Sequence, residues 1–93
     1  MITVIATVKA KPGKGAELEA DFRAYAEQVK ANEPGTLLYT LNRSREDADT
    51  FYAIEIYADE AAVQAHMKNF QARQGAPDVA MGPPQIQVLD RLV

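Results

Sequence analysis

Two ionisable side chains stand where the surrounding pattern is apolar. Glu55 lies between Ile54 and Ile56 and shares the alternating positions of Phe51, Ala53 and Tyr57. A carboxylate there either sits at a rim as an ion pair, with Arg43 or Arg91 as partner, or lines a polar cavity. Buried without a cation, it holds its proton more tightly than usual and becomes a candidate acid or base. His66 is the one histidine of the chain, a turn from Ala62 and Phe70 on the flank of an apolar stripe. Imidazole is the side chain whose ordinary titration lies nearest neutrality, so a histidine aimed into a pocket is a natural proton acceptor. The competing reading of His66 is a partly exposed ring with a satisfied hydrogen bond.

The aromatic stock is Tyr25, Tyr39, Tyr52, Tyr57, Phe22, Phe51 and Phe70. At helix and strand spacing such residues pack a core, or wall a flat apolar pocket for a ring-shaped ligand. Other chemistry is excluded by composition. With no cysteine there is no thiolate nucleophile, disulfide or thiolate metal site, and one histidine cannot supply two imidazole ligands. A net charge of −3 argues against nucleic acid, which needs clustered Lys and Arg. Gly13 and Gly15 precede a helix without a phosphate-cradling glycine motif.

These side chains must be positioned by a small fold. Ninety-three residues, 47% apolar and 25% charged, fit one globular domain over residues 1–93. Ile2 to Lys9 alternates as a strand, with Ile2, Val4, Ala6 and Val8 on one face and Thr3, Ile5, Thr7 and Lys9 on the other. Lys11-Pro12-Gly13-Lys14-Gly15 is a turn. Leu18, Phe22, Tyr25 and Val29 then recur at helical spacing, which predicts a helix from about Ala16 to Asn32, ended by Glu33-Pro34-Gly35. Thr36–Arg43 and Thr50–Tyr57 form a β-hairpin across a polar turn, with Leu37, Tyr39 and Leu41 on one face of its first strand. Asp59 caps a helix predicted from Glu60 to about Gln74, with Val63, Met67, Phe70 and Gln74 along its stripe. Gly75–Pro83 is a connection or a lid, and Pro84–Val93 is a last strand.

The order βαββαβ is the ferredoxin-like α+β arrangement, with both helices on one face of a four-stranded antiparallel sheet. The opposite face is bare in a monomer, yet the strands carry apolar residues on both sides. A second copy packing sheet to sheet is the simplest cover. No apolar run is long enough to span a bilayer, and Met1-Ile2-Thr3-Val4 lacks the features of a signal peptide, which suggests a cytoplasmic protein without a membrane partner.

Several segments in this order resemble the antibiotic biosynthesis monooxygenase family, which includes quinol monooxygenases. They are Lys11-Pro12-Gly13-Lys14 after the first strand, Glu33-Pro34-Gly35 with Tyr39 four residues after the glycine, Phe51-x-x-x-Glu55-x-Tyr57, and Ala58-Asp59-Glu60-Ala61-Ala62-Val63-x-Ala65-His66. The resemblance implies a dimeric α+β barrel with a pocket between helices and sheet. It also implies oxidation of quinols, anthrones and similar electron-rich rings by O2 without flavin, metal or haem. The chain departs from many relatives in having no second histidine after His66 and no tryptophan. Haem-degrading members of the fold rely on an Asn, a Trp and a His. Thr7, His66 and Gln74 stand at those places, so the resemblance argues against haem degradation.

Two function classes follow. The first is a cofactor-free monooxygenase for a small quinol or phenolic substrate. His66 binds or deprotonates the ring hydroxyl, Glu55 orients it or supplies negative charge, and Tyr39, Phe51 and Phe70 wall the pocket. The second is a non-catalytic ligand-binding or stress-response barrel, or an isomerase of a small signalling molecule. The lone histidine is the feature that separates them.

Overall fold

The structure is a computed structural model that describes residues 1–73 and 77–93. Its elements are β1 (Ile2–Lys9), α1 (Gly15–Asn32), β2 (Thr36–Arg43), β3 (Thr50–Tyr57), α2 (Glu60–Gln71) and β4 (Gln85–Asp90). They form the expected ferredoxin-like layer: a four-stranded antiparallel sheet in the order β2-β3-β1-β4. Alternation on β1 and β3 buries Val4, Ala6 and Val8 with Phe51, Ala53, Glu55 and Tyr57. The stripe of α1, Leu18, Phe22, Tyr25, Ala26 and Val29, closes over that face.

One register and two boundaries depart from the sequence reading, each for a local reason. The pairing of β2 with β3 slips between Thr36 and Leu38, so Leu37 is an extra residue, half exposed, and does not share the buried face of Tyr39. Helix α2 ends at Gln71, where the Ala72 N–H bonds the Lys68 carbonyl and the Arg73 N–H tightens onto the Phe70 carbonyl. Gln74, Gly75 and Ala76, part of the expected helix end and lid, lie outside the described residues. Strand β4 stops at Asp90 because its partner β1 runs out: the last rung is Arg91 N–H to the Met1 carbonyl. Pro84 has no N–H with which to begin it earlier.

Helix α2 starts as read, with the Asp59 carboxylate accepting from the Ala62 N–H at 2.9 Å. Its first turn lies hard against the turn after α1. A β-carbon built on Gly35 would meet the Ala62 β-carbon at 2.6 Å, closer than carbon atoms approach. Glycine at that position lets the end of α1 and the start of α2 come together.

Candidate active site

The buried polar and charged residues among those described are Glu33, Glu55 and His66, and all three meet. Glu33 is the C-cap of α1 and falls four residues after Val29, in phase with the helix stripe, so its side chain turns inward. Glu55 comes from the buried face of β3, beside Tyr39 on β2 and Val4 on β1. His66 is on the inner face of α2 and is 4% exposed, which sets aside the reading of a surface ring.

The geometry is a line. Glu33 Oε1 lies 2.8 Å from His66 Nδ1, and His66 Nε2 lies 3.7 Å from Glu55 Oε1. The first is a hydrogen bond; the second is too long for one and leaves room beside Nε2. Thr36 Oγ1 donates to Glu33 Oε1 at 2.9 Å, and Asn69 Nδ2 reaches Glu33 Oε2 at 3.4 Å. At the other end the Tyr57 hydroxyl donates to Glu55 Oε1. An ionised carboxylate only accepts, so Nδ1 carries hydrogen toward Glu33, and in the neutral ring Nε2 keeps its lone pair. Tyr57, Tyr39 and Tyr25 surround the imidazole, with ring centroids 5.4, 5.5 and 6.1 Å away.

Burial sets the protonation of the neighbours. It pushes the Glu55 carboxyl above the usual carboxylate range, opposed by the Tyr57 hydroxyl and the His66 ring and reinforced by Glu33. Burial raises the Tyr25 phenol to about 12, with Glu33 adding to the rise and Arg73 opposing it. Tyr39 and Tyr57 are also pushed up, by burial first and by Glu55 after it. These phenols therefore stay protonated, and the Tyr57 hydroxyl is the one that donates to Glu55. The buried Tyr25 hydroxyl has no hydrogen-bond partner among the described residues.

Nε2 and Glu55 border a cavity of about 210 Å³ between α2 and the sheet, walled by Phe22, Tyr39, Met67, Phe70, Pro84 and Ile86 among others. Its walls are mostly apolar, with Glu55, His66 and Gln71 among the lining residues. An apolar cavity of about 150 Å³ is known to hold benzene, so this volume is of the size of a single ring. Among the described residues no group of three or more His, Asp or Glu side chains is disposed to hold a metal ion. Glu33 and Glu55 face opposite nitrogens of the one imidazole and cannot share an ion with it.

The model of the antibiotic biosynthesis monooxygenase family matches residues 1–77. The chain belongs to the antibiotic biosynthesis monooxygenase family. A Caulobacter crescentus protein described as a candidate antibiotic biosynthesis monooxygenase is 39% identical, with a TM-score of 0.87 over 99% of this chain and 90% of that one. A Pseudomonas aeruginosa protein is 33% identical, with a TM-score of 0.83 over 99% and 94%. A Nitrosomonas europaea protein described like the first has a TM-score of 0.85 over the full length of both chains, at 22% identity, which shows the fold alone. No curated protein matches.

Against this antibiotic biosynthesis monooxygenase fold, the expected site residues divide. His66, Glu55, Tyr39 and Phe70 come together around the cavity. Phe51 does not. It is 1% exposed in the core, with the Arg43 guanidinium 5.0 Å from its ring centroid, and borders a surface groove alongside α1 instead. Phe51 shares the helix-side face of β3 with Ala53 and Glu55, but it pairs with Arg43 two rungs beyond the Tyr39–Glu55 rung, and the cavity lining on that strand ends at Ala53. The cations expected beside Glu55 are occupied elsewhere: Arg43 pairs with Glu19, and Arg91 bonds the Val93 carbonyl. The sequence reading gives Glu55 the role of orienting or of supplying negative charge; the hydrogen bond from His66 Nδ1 goes to Glu33, which the sequence marks as a helix end and as part of the Glu33-Pro34-Gly35 segment. Its phase on the α1 stripe was the available signal.

Proposed function

We propose that this family member is a cofactor-free monooxygenase that inserts oxygen from O2 into a small quinol or phenolic ring. The observation that supports it most is the His66 ring in the wall of an apolar, ring-sized cavity. Its Nδ1 is held by the buried Glu33, and its Nε2 is on the side of Glu55, which shares the cavity wall. Nε2 takes the proton of a ring hydroxyl, and the resulting anion is electron-rich enough to reduce O2 itself. For a hydroquinone the balance is hydroquinone plus O2 to hydroxyquinone plus water. One oxygen atom enters the ring, the other leaves as water, and the substrate supplies all four electrons. The apolar walls exclude water from the anion, and the imidazolium formed at His66 is stabilised by Glu33 on one side and by any charge on Glu55 on the other.

A second copy covering the open sheet face is part of this reading. Leu38, Tyr52, Ile54 and Leu89 are large, exposed and share that face. No described helix is long and apolar enough to cross a membrane.

An oxygen electrode with a panel of mono- and bicyclic hydroquinones tests the reading. His66→Ala lowers O2 uptake by about 10² to 10⁴, the usual contribution of a positioned base, with circular dichroism unchanged. Equal rates in wild type and variant reject His66 as the base. Saturable ring binding with no O2 uptake makes the protein a binding domain.

A further inference from the structure

The geometry points to a proton path in which the His66–Glu33 pair connects the ring cavity to solvent through a groove between α1 and α2. This inference rests on His66 being the base of the proposed reaction. Two voids flank the pair and have no lining residue in common. The ring cavity has His66 and Glu55 in its wall. On the other side, a groove of about 430 Å³ is walled by Gln28, Asn32, Glu33, Asn69 and Arg73 over the Tyr25 side chain. Glu33 borders the groove and not the cavity; His66 borders the cavity and not the groove. Their 2.8 Å contact crosses a partition otherwise built of the Tyr25, Tyr39 and Phe70 rings.

An imidazole relays protons by accepting on one nitrogen and releasing from the other. Here the accepting nitrogen, Nε2, faces Glu55 in the cavity wall, and the releasing nitrogen, Nδ1, faces Glu33. A ring seated in the cavity closes Nε2 off from water, and the Nδ1 side remains open. Glu33 is suited to the next step because, among the described residues, no arginine or lysine pairs with it. Arg73, its neighbour in the groove wall, is paired with Asp21. Glu33 is held instead by the neutral donors Thr36 and Asn69, and Asn69 itself lines the groove. The groups facing His66 are Glu33 and Tyr25 from α1, Tyr39 from β2, and Glu55 and Tyr57 from β3. Among these, Glu33 alone both bonds the ring and reaches the groove. The reaction releases no net proton: one leaves the ring when the base acts, and one returns when water forms. The path therefore carries protons in both directions.

Because His66 is the single histidine, its ring N–H signal in ¹⁵N-labelled protein is unambiguous. Glu33→Gln, which keeps an acceptor oxygen but no proton-accepting carboxylate, slows exchange of the Nδ1 hydrogen with water by about 10²-fold, the low end for a positioned acid–base group. Glu33→Asp stays within a few-fold of wild type. With any hydroquinone the wild type consumes, Glu33→Gln lowers kcat and leaves KM unchanged, and formate restores the rate of Glu33→Ala through the groove. Unchanged exchange in folded Glu33→Gln overturns the path, whether or not a quinol is oxidised. If Glu33→Gln does not fold, Gln28→Trp at the exposed groove wall replaces it, and unchanged exchange there overturns the path equally. Slowed exchange in a protein that oxidises no quinol rejects the proposed reaction and keeps the path.

Discussion

Glu33 and His66 stand 33 positions apart in the chain, one at the end of α1 and one in the middle of α2, and their side chains meet at 2.8 Å with both residues less than a tenth exposed. A buried carboxylate against a buried imidazole is costly to desolvate and costly to break. Removing one partner strands the other without its hydrogen bond.

That contact depends on a residue with no side chain. Gly35→Ala places a methyl group against Ala62 and forces α2 away from the turn after α1. The expected cost is about 1–3 kcal/mol, typical of overpacking, and a lower Tm in thermal melts. Quinol oxidation falls further than stability does, because His66 moves away from Glu33 even in the folded fraction. A Tm equal to that of wild type contradicts the close approach.

Glu55 makes stability depend on pH. Burial holds its carboxyl above the ordinary range in the folded protein, so between the unfolded and folded pKa values the folded state binds a proton that the unfolded chain has released. Stability contributed by the neutral carboxyl is complete below the unfolded carboxylate pKa of about 4.3 and is lost as pH rises through the folded value. Glu55→Gln keeps an acceptor for the Tyr57 hydroxyl and cannot ionise. Urea midpoints of the two proteins should lie close at acid pH and diverge in favour of the variant toward neutrality. Divergence in favour of wild type reverses the assignment.

The two phenylalanines make a paired test. Phe70→Leu enlarges the ring cavity, so KM rises for a monocyclic hydroquinone and falls in relative terms for a bicyclic one. Phe51→Leu leaves that preference unchanged and costs about 1 kcal/mol in stability as a core substitution. A change in substrate preference from Phe51→Leu shows that the cavity extends past Ala53.

The open sheet face makes an assembly prediction. Light scattering of wild type at micromolar concentration gives the mass of a dimer whose interface exceeds about 1,000 Å². Ile54→Glu, at a position 37% exposed in the centre of that face, gives a monomer with unchanged circular dichroism. A monomeric wild type removes the dimer.

What this chain's sequence determined by itself is what depends on neighbours along the chain. The period-two alternation of β1, β2 and β3 placed their ends where the structure has them, and the stripe Leu18, Phe22, Tyr25, Val29 marked the buried side of α1. Glu55 and His66 were legible because each interrupts an apolar pattern, and a polar residue on a buried face has to be accounted for. The helix-side face of β3 was legible too, but not which part of it walls the cavity. That turned on where α2 sets His66 along the strand: beside Glu55, on the rung of Tyr39, and two rungs away from Phe51. Only the tertiary structure decided the partner of His66. Glu33 reads as the end of a helix until α2 packs onto that end. The packing rests on the absence of a single methyl group at Gly35, a steric condition between segments remote in sequence that no periodicity records.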